Sequence, residues 1–229
     1  MKLLAFDTSS IALAVALLED ERLVAETTVN SKKNHSISLM PTIDFLMAQV
    51  GWEPSDLDRI VVAQGPGSYT GLRVAVATAK TLAYSLNVDL VGVSSLFALL
   101  PLAVHTGLMI PLIDARRNSV YAGFYEDGQA IRPDSYLTLE EVLTYAQSAN
   151  AVTFTGEVQN FKDQILQALP QANIQPSLPS AYALGKRGLQ AESVSVHAFV
   201  PQYLKRVEAE ENWLQTHGEE DSSHYIKRV

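Results

Sequence analysis

The sequence predicts an α/β fold made of two copies of a βββαβαβα unit, arranged as two lobes. Two observations carry this prediction. Three strand-like apolar runs are followed by alternating helix and strand patterns, and this order occurs twice along the chain. The two copies also align without a gap, so that Asp7 falls on Asp114 and Asp20 falls on Asp127. A shared element order with matched acidic positions indicates an internal duplication.

Each lobe of such a fold is expected to be a mixed sheet with helices on its faces. We expect an N-terminal lobe over residues 1–105 and a reduced C-terminal lobe over residues 106–203. Residues 204–229 form an acidic tail, predicted to start as a helix that packs Trp213 on a lobe and then to become disordered. Ligands of α/β folds bind beyond the carboxyl ends of strands. The cleft is therefore expected between Asp7, Asp114 and the loop at Gly156.

The first copy begins with three apolar runs that predict an antiparallel meander. Two helices and two strands follow, and a third helix ends the copy. The predicted strands are Lys2–Phe6, Ile11–Leu18, Arg22–Val29, Ile60–Ala63 and Asp89–Val93, and the predicted helices are Ser36–Val50, Thr70–Leu86 and Ser94–Val104.

The second copy repeats this pattern after residue 108. Thr138 is a predicted N-cap, and Glu140 and Glu141 lie in the first turn, where the helix dipole favours them. The predicted strands are Met109–Ile113, Asn118–Tyr125, Gln129–Leu137 and Ala151–Thr155, and the predicted helices are Thr138–Ala149, Val158–Leu169 and Pro179–Ala191.

Composition limits the classes of function. The chain has 229 residues, of which 47% are hydrophobic, a net charge of −8 and no cysteine. A negative charge argues against independent binding of nucleic acid, and without cysteine there are no disulfides or thiolate metal sites. The longest strongly apolar run, residues 96–104, is far below the roughly 20 residues of a membrane span. We expect a soluble, cytoplasmic protein that does not contact a membrane.

A glycine-rich turn separates a strand from a helix in the first copy. It reads Gly65-Pro66-Gly67-Ser68-Tyr69-Thr70-Gly71 and is followed by Leu72-Arg73. The turn matches neither the Walker loop nor the dinucleotide fingerprint. Two interpretations remain open: an anion site at the helix N-terminus, or a tight turn that lets two backbone segments pack closely.

The histidines do not form a metal-binding pattern. They are His35, His105, His197, His217 and His224, and no two of them are four residues apart. We therefore predict no metal site.

Three motifs together resemble the TsaB family, also called YeaZ. They are Asp7-Thr8-Ser9, the glycine turn through Arg73, and Asp114-Ala115-Arg116-Arg117-Asn118 followed by Val120-Tyr121. The resemblance covers Met1 to about Tyr203. It implies the two-lobed fold of actin, sugar kinases and Hsp70, which is RNase H-like. It also implies a role in forming N6-threonylcarbamoyladenosine at position 37 of tRNAs that read codons beginning with A.

The resemblance implies a helper rather than a catalyst. TsaB is similar to TsaD, the glycoprotease-like (M22) enzyme that transfers the threonylcarbamoyl group, and forms a heterodimer with it. TsaE, an ATPase, joins the larger assembly, and tRNA is contacted only through the complex. In isolation the chain is expected to form a homodimer.

The alternative is a stand-alone ATP-dependent kinase-like or acyl-transfer enzyme acting at the Asp7–Asp114 cleft. A peptidase is disfavoured because no nucleophile elbow is present.

The resemblance also suggests site residues. In kinase-like relatives a residue at the position of Asp7 holds metal and phosphate, so Asp7, Thr8 and Ser9 are candidate ligands for weakly bound ATP or ADP, with no cofactor bound tightly. The alternative is that Asp7 is a turn residue at a strand end. Asp114 and Arg116 are taken as structural motif residues.

The resemblance further implies that the chain pairs with its partner through the two long helices of the first lobe. The candidate partner-binding residues are Leu39, Met40, Ile43, Met47, Arg73, Ala75, Ala79 and Lys80. The alternative is that both helices are ordinary buried helices of a lobe that is covered on both faces.

Overall fold

The computed structural model describes residues 1–31, 35–101 and 107–205. The first lobe contains a five-stranded sheet in the order β3-β2-β1-β4-β5. Strands β1 to β3 are antiparallel, and β4 and β5 run parallel to β1. Its elements are β1 (Lys2–Asp7), β2 (Ala12–Glu19), β3 (Arg22–Asn30), α1 (His35–Val50), β4 (Arg59–Gly65), α2 (Tyr69–Leu86) and β5 (Asp89–Ser94).

The second lobe contains a sheet of the same design, in the order β8-β7-β6-β9-β10. Its elements are β6 (Leu108–Asp114), β7 (Ser119–Glu126), β8 (Gln129–Thr138), α3 (Leu139–Ala146), β9 (Val152–Gly156), α4 (Lys162–Ala168) and β10 (Asn173–Pro176). A last helix, α5 (Ala181–Gln190), follows.

The predicted duplication and α/β class are confirmed. Both sheets consist of a meander of three antiparallel strands followed by two strands parallel to the first. The match extends to single residues: Asp20 and Asp127, at the equivalent hairpin turns, have φ angles of 53° and 50°. Such left-handed residues suit the tight turns between twisted antiparallel strands, and Asp tolerates this conformation better than most residues.

Helices cover both faces of the first sheet. Helices α1 and α2 pack on the face that contains Phe6, Ile60 and Val62. Helix α5 packs on the opposite face, where Leu184 lies against Leu3 and other strand residues. Since β1, β2 and β4 are apolar almost throughout, they need cover on both sides.

This arrangement corrects the predicted lobe boundaries. Residues 106–203 do not form one unit, because α5 packs on the first sheet after the second sheet is complete. Residues 192–205, which we call the strap, also lie on the first lobe. The Val194 amide donates to the Leu90 carbonyl at 2.8 Å, the Gln202 amide donates to the Gln64 carbonyl at 2.7 Å, and Phe199 is buried in the core beside α2. The physical reason is the apolar face of the first sheet, which the first 105 residues do not cover.

Smaller differences concern single elements. In place of the predicted helix over 94–104, the described residues 94–101 form a strand end and a short 3-10 turn, Phe97–Leu99. Strand β10 was not predicted, because it is a short, exposed edge strand. The helix predicted over 158–169 is a 3-10 turn followed by α4. The predicted boundary at His105 and the tail with Trp213 lie outside the described residues.

None of the helices within the described residues is both long and apolar enough to cross a membrane.

Candidate functional site: the cleft and the exposed helical face

The glycine turn packs directly against the end of β1. The Thr8 hydroxyl donates to the Gly71 carbonyl at 2.7 Å, and the Ser68 amide donates to the Ser9 carbonyl at 2.7 Å. A Cβ atom built on Gly71 would lie 1.9 Å from the Thr8 carbonyl oxygen, a distance no side chain tolerates. Gly71 is therefore required for close approach of two backbones, as the packing interpretation of the motif states.

The same turn begins α2 and contacts the strap. Ser68 is the N-cap of α2, with its hydroxyl accepting from the Gly71 amide at 3.4 Å. Gly65 precedes Pro66 through a cis peptide bond and has a φ of 125°. A Cβ on Gly65 would lie 2.4 Å from the Gln202 carbonyl oxygen of the strap. The turn thus touches β1 on one side and the strap on the other.

The three candidate cofactor ligands at the end of β1 are buried. Asp7, Thr8 and Ser9 are at most 1% exposed. The Ser9 amide donates to Asp7 Oδ1 at 2.6 Å, so Asp7 caps its own turn. The other oxygen, Oδ2, and the Ser9 hydroxyl make no hydrogen bond within the described residues.

Burial determines the protonation behaviour of Asp7. It raises the pKa of the carboxyl from 3.8 to about 6, and the charge of Glu157 acts in the same direction. The hydrogen bond from the Ser9 amide and the charge of His35 oppose the rise. His35 itself is the first residue of α1, with its Nε2 3.0 Å from the Ser10 carbonyl oxygen.

On the opposite side of the cleft, Asp114 organises a loop in the equivalent position. Its Oδ1 accepts from the Arg116 amide at 2.7 Å, and its Oδ2 accepts from the Asn160 side chain at 3.2 Å. Its own amide donates to Glu157 Oε2 at 2.9 Å. Burial raises the pKa of Glu157, with the charge of Asp114 adding to the effect.

Three consecutive residues of this loop have left-handed backbones. The φ angles of Arg116, Arg117 and Asn118 are 67°, 53° and 57°. Consecutive non-glycine residues in this region are strained. The Asp114 carboxylate and the pairing of β6 with β7 hold the loop in this form.

The cleft contains two cavities, of about 580 and 400 Å³. Asp114, Arg116 and Glu157 line both of them, while Ser9, Ser68 and Tyr69 line the smaller. Asp7 and Thr8 line neither cavity. Asp7 and Thr8 hold the turn at the end of β1, and of the three candidate cofactor ligands Ser9 is the one that lines the smaller cavity.

No group of three or more His, Cys, Asp or Glu side chains within residues 1–31, 35–101 and 107–205 has a geometry suited to a metal ion.

Most of the predicted partner-binding residues lie in the core. Of the predicted set, Leu39, Ile43, Met47, Ala75 and Ala79 are at most 6% exposed. They pack between the helices and the first sheet, where they contact Phe6, Val62 and other strand residues. Their assignment to a partner surface is corrected, because apolar residues at a spacing of three and four form the side of an amphipathic helix that faces its own core.

A different side of α1 is exposed and apolar. Ile37, Met40 and Phe45 are 73%, 45% and 59% exposed. On α2 the neighbouring exposed side contains Arg73 and Ala77. We call these five residues the helical face. Within the predicted set, Met40 and Arg73 belong to it. Ile37 is not in the predicted set, although the sequence shows that α1 has apolar residues on nearly all sides and so must expose some of them.

The two basic residues of the predicted partner-binding set, Arg73 and Lys80, make contacts within the chain. Arg73 Nη1 donates to the Tyr69 hydroxyl at 3.1 Å, and its guanidinium lies 5.1 Å from the centre of that ring. Lys80 Nζ donates to the carbonyls of His197 and Phe199 in the strap, at 3.0 and 2.7 Å. Lys80 therefore connects α2 to the strap.

Comparison with known proteins places these features in a family. The family model described as TsaD, tRNA N6-adenosine threonylcarbamoyltransferase, matches residues 22–213. The chain is 37% identical to the tRNA threonylcarbamoyladenosine biosynthesis protein TsaB of Bacillus subtilis, over 94% of this chain and 99% of that protein.

Solved structures agree with the sequence comparison. YeaZ from Pseudomonas aeruginosa superposes with a TM-score of 0.75 at 26% identity, covering 89% of this chain and 99% of that chain. Component A of (R)-2-hydroxyglutaryl-CoA dehydratase from Acidaminococcus fermentans superposes with a TM-score of 0.53 at 12% identity, over 83% and 98% of the two chains. The latter likeness concerns the fold alone.

Proposed function

Because the chain belongs to the TsaB family, we propose that it acts in forming N6-threonylcarbamoyladenosine on tRNA, as the non-catalytic partner of a TsaD-type threonylcarbamoyltransferase. Its contribution is a docking surface that holds the enzyme in its active arrangement. The modified base is adenosine 37 of tRNAs that read codons beginning with A. A TsaE-type ATPase joins this pair, and the tRNA is contacted through the complex.

The observation that carries this proposal is the helical face. Ile37, Met40 and Phe45 expose three large apolar side chains on one helix. Contiguous exposed apolar patches of this kind mark sites of protein association. The interface residues are therefore exposed ones, and they replace the buried set that the helix pattern first suggested. In the absence of the enzyme, the same face pairs two copies of the chain.

The cleft supports the non-catalytic part of the proposal. Asp7 and Thr8 are engaged in the turn at the end of β1, and the glycine turn packs on that backbone. The cavity between the lobes has Asp114 and Glu157 in its wall beside Arg116, so among the described residues that line it the carboxylates that repel the phosphates of a nucleotide outnumber the one cation that would attract them. These residues do not fit a tightly held ATP or ADP. We propose that nucleotide binding is at most weak, with a Kd of about 1 mM or higher.

The direct test is binding between purified protein and its TsaD-type partner, measured by isothermal titration calorimetry. Wild type is expected to bind, and Phe45→Asp and Met40→Asp are each expected to weaken binding at least about tenfold, because a charge is placed in an apolar contact. The matched control is Ile131→Asp, in β8 of the second lobe, where the side chain is 43% exposed. Unchanged affinity in both helix variants would contradict the proposed surface.

A second test separates helper from enzyme. Threonylcarbamoyladenosine formation is measured in a reaction containing TsaD-type and TsaE-type proteins, the activated threonylcarbamoyl donor, ATP and tRNA. We expect Asp7→Asn to support the reaction as wild type does, and Phe45→Asp not to. If Asp7→Asn abolishes the reaction while its melting temperature and partner affinity are unchanged, the cleft is a catalytic site and the proposal is wrong.

A further inference from the structure

We infer that residues 197–203 of the strap, which lie along α2, are part of the surface that binds the threonylcarbamoyltransferase partner, beside α1 and α2. This inference rests on the proposed function and adds a third element to the docking surface. It depends on contacts between the strap and α2 that the sequence pattern of the helices does not reveal.

The strap is fixed along one side of α2 by side chains from three of its turns. Lys80 Nζ donates to the carbonyls of His197 and Phe199. The Tyr84 ring meets His197 edge-on at 5.5 Å, and the Tyr69 ring stacks on Tyr203 at 4.9 Å. Positions 69, 80 and 84 recur at helical spacing and so share one side of α2. The strap therefore runs beside the helix over most of its length.

The strap exposes large apolar side chains next to α2, interspersed with polar residues. Val200 is 66% exposed and Tyr203 is 42% exposed, while Phe199, directly before Val200, is buried in the core. Tyr84, which touches the strap, is 67% exposed. Helix α2 lies between α1 and the strap, so its exposed residues join the two apolar groups into one surface.

The size of a stable interface favours this larger surface. A specific complex uses about 20–30 residues and about 800 Å² from each partner. Helices α1 and α2 contain 16 and 18 residues, and much of each faces the sheet. Eight residues of α1 and seven of α2 are exposed, which is fewer than a stable interface uses. The strap adds the exposed apolar side chains of Val200 and Tyr203 on the side of α2 away from α1.

Aromatic residues strengthen the assignment. Tyr and Arg are enriched where interface binding energy is concentrated, because they supply large contact area with a polar end. Arg73, Tyr69 and Tyr203 form one contiguous stack, in which Arg73 lies against the Tyr69 ring and that ring lies against Tyr203. This stack is half exposed at the junction of α2 and the strap. A partner that covers the helical face covers the stack as well.

The test is calorimetric binding of the full-length chain to the TsaD-type partner. Val200→Asp and Tyr203→Asp are each expected to weaken binding at least about tenfold. The matched control is Val194→Asp, in the same segment, whose backbone pairs with Leu90 at the sheet edge and whose side chain is 40% exposed. It is expected to bind like wild type. Melting temperatures verify that all three variants are folded.

Hydroxyl-radical footprinting of the unmodified protein gives a readout that needs no variant. Binding of the partner is expected to protect Tyr84 and Tyr203, and to leave Tyr182 of α5, on the opposite face of the sheet, as reactive as before.

Each contrary outcome has a separate meaning. If Phe45→Asp loses binding while Val200→Asp, Tyr203→Asp and the footprint of Tyr203 are unchanged, the strap inference is wrong and the proposed function stands. If Val200→Asp weakens only self-association, measured by light scattering, the strap contacts a second copy and not the enzyme. If wild type does not bind the enzyme, the inference and the proposed function both fail.

Discussion

The Thr8 hydroxyl donates a hydrogen bond to the Gly71 carbonyl oxygen at 2.7 Å, and the two residues are 63 positions apart in the chain. This bond joins the end of β1 to the first turn of α2. It requires that the two backbones approach more closely than any side chain on residue 71 permits. The glycine motif is thereby explained as a packing element of the first lobe.

Replacing Gly71 is expected to destabilise the protein although Gly71 lies in a helix. Gly→Ala in a helix normally stabilises by about 1 kcal/mol. Here the new Cβ would collide with the Thr8 carbonyl, so Gly71→Ala should cost about 3 kcal/mol or more in free energy of unfolding. The reference variant is Gly51→Ala. A Cβ at position 51 would have no atom within 4 Å, so the left-handed φ of 69° is the only unfavourable feature, and it costs about 1–2 kcal/mol. Urea unfolding measures the free energy of unfolding of both variants. An equal decrease in the two would contradict the packing role of Gly71.

Met40 and Met47 offer a matched pair on one helix. Met47 is 6% exposed in the core, whereas Met40 is 45% exposed on the helical face. Met47→Ala is expected to cost about 2–5 kcal/mol through lost burial and a cavity. Met40→Ala should change the free energy of unfolding by less than about 0.5 kcal/mol. Chemical denaturation measures both, and the reverse order would show that α1 is rotated from the orientation described.

Asp7 should give stability a characteristic pH dependence. The folded protein holds its proton up to about pH 6, whereas the unfolded chain releases it near pH 3.8. Between these values the folded state binds more protons, so stability falls as the pH rises. The difference between the two pKa values corresponds to at most about 3 kcal/mol.

Asp7→Asn removes this contribution and leaves the other groups with raised pKa values, Glu157 and Asp134, in both proteins. The free energy of unfolding of wild type relative to Asp7→Asn should therefore decline between pH 4 and pH 6 and be level above pH 7. A flat difference across this range would mean that Asp7 is not desolvated.

Arg59 connects α5 to the first sheet. Its Nη1 donates to the carbonyls of Gly188, Leu189 and Ala191 at 2.8, 3.4 and 3.1 Å. These are carbonyls at the C-terminal end of α5, which the helix itself does not satisfy. Its Nη2 donates to Asp89 at 2.7 Å.

Arg59→Ala is therefore expected to cost about 2–4 kcal/mol, since hydrogen bonds that involve a buried charge are strong. Limited proteolysis should then cleave near residue 190 first, because α5 is held less firmly. Arg22→Ala is the control: its ion pair with Glu19 is largely exposed and is worth less than about 1 kcal/mol. Equal proteolysis of the two variants would exclude a role for Arg59 in holding α5.

Local patterns determined much of this structure. The repeat of element order, with Asp7 matching Asp114, predicted two sheets of the same topology. Helix and strand periods placed α1, α2 and β1 to β9 within a few residues, because period and turn chemistry are local properties. The motifs around the glycine turn and Asp114 were sufficient to indicate the family.

Contacts distant in sequence decided the rest. The sequence shows that α1 is apolar on nearly all sides, but which side faces the sheet depends on packing. The predicted partner surface therefore includes Met47, which is buried, and omits Ile37, which is exposed. The return of α5 and the strap to the first lobe likewise depends on the uncovered face of the first sheet. Burial, rather than residue type, made Asp7 part of a turn and raised its pKa. Such outcomes are set by which surfaces remain uncovered once all elements have packed, and no local pattern encodes that.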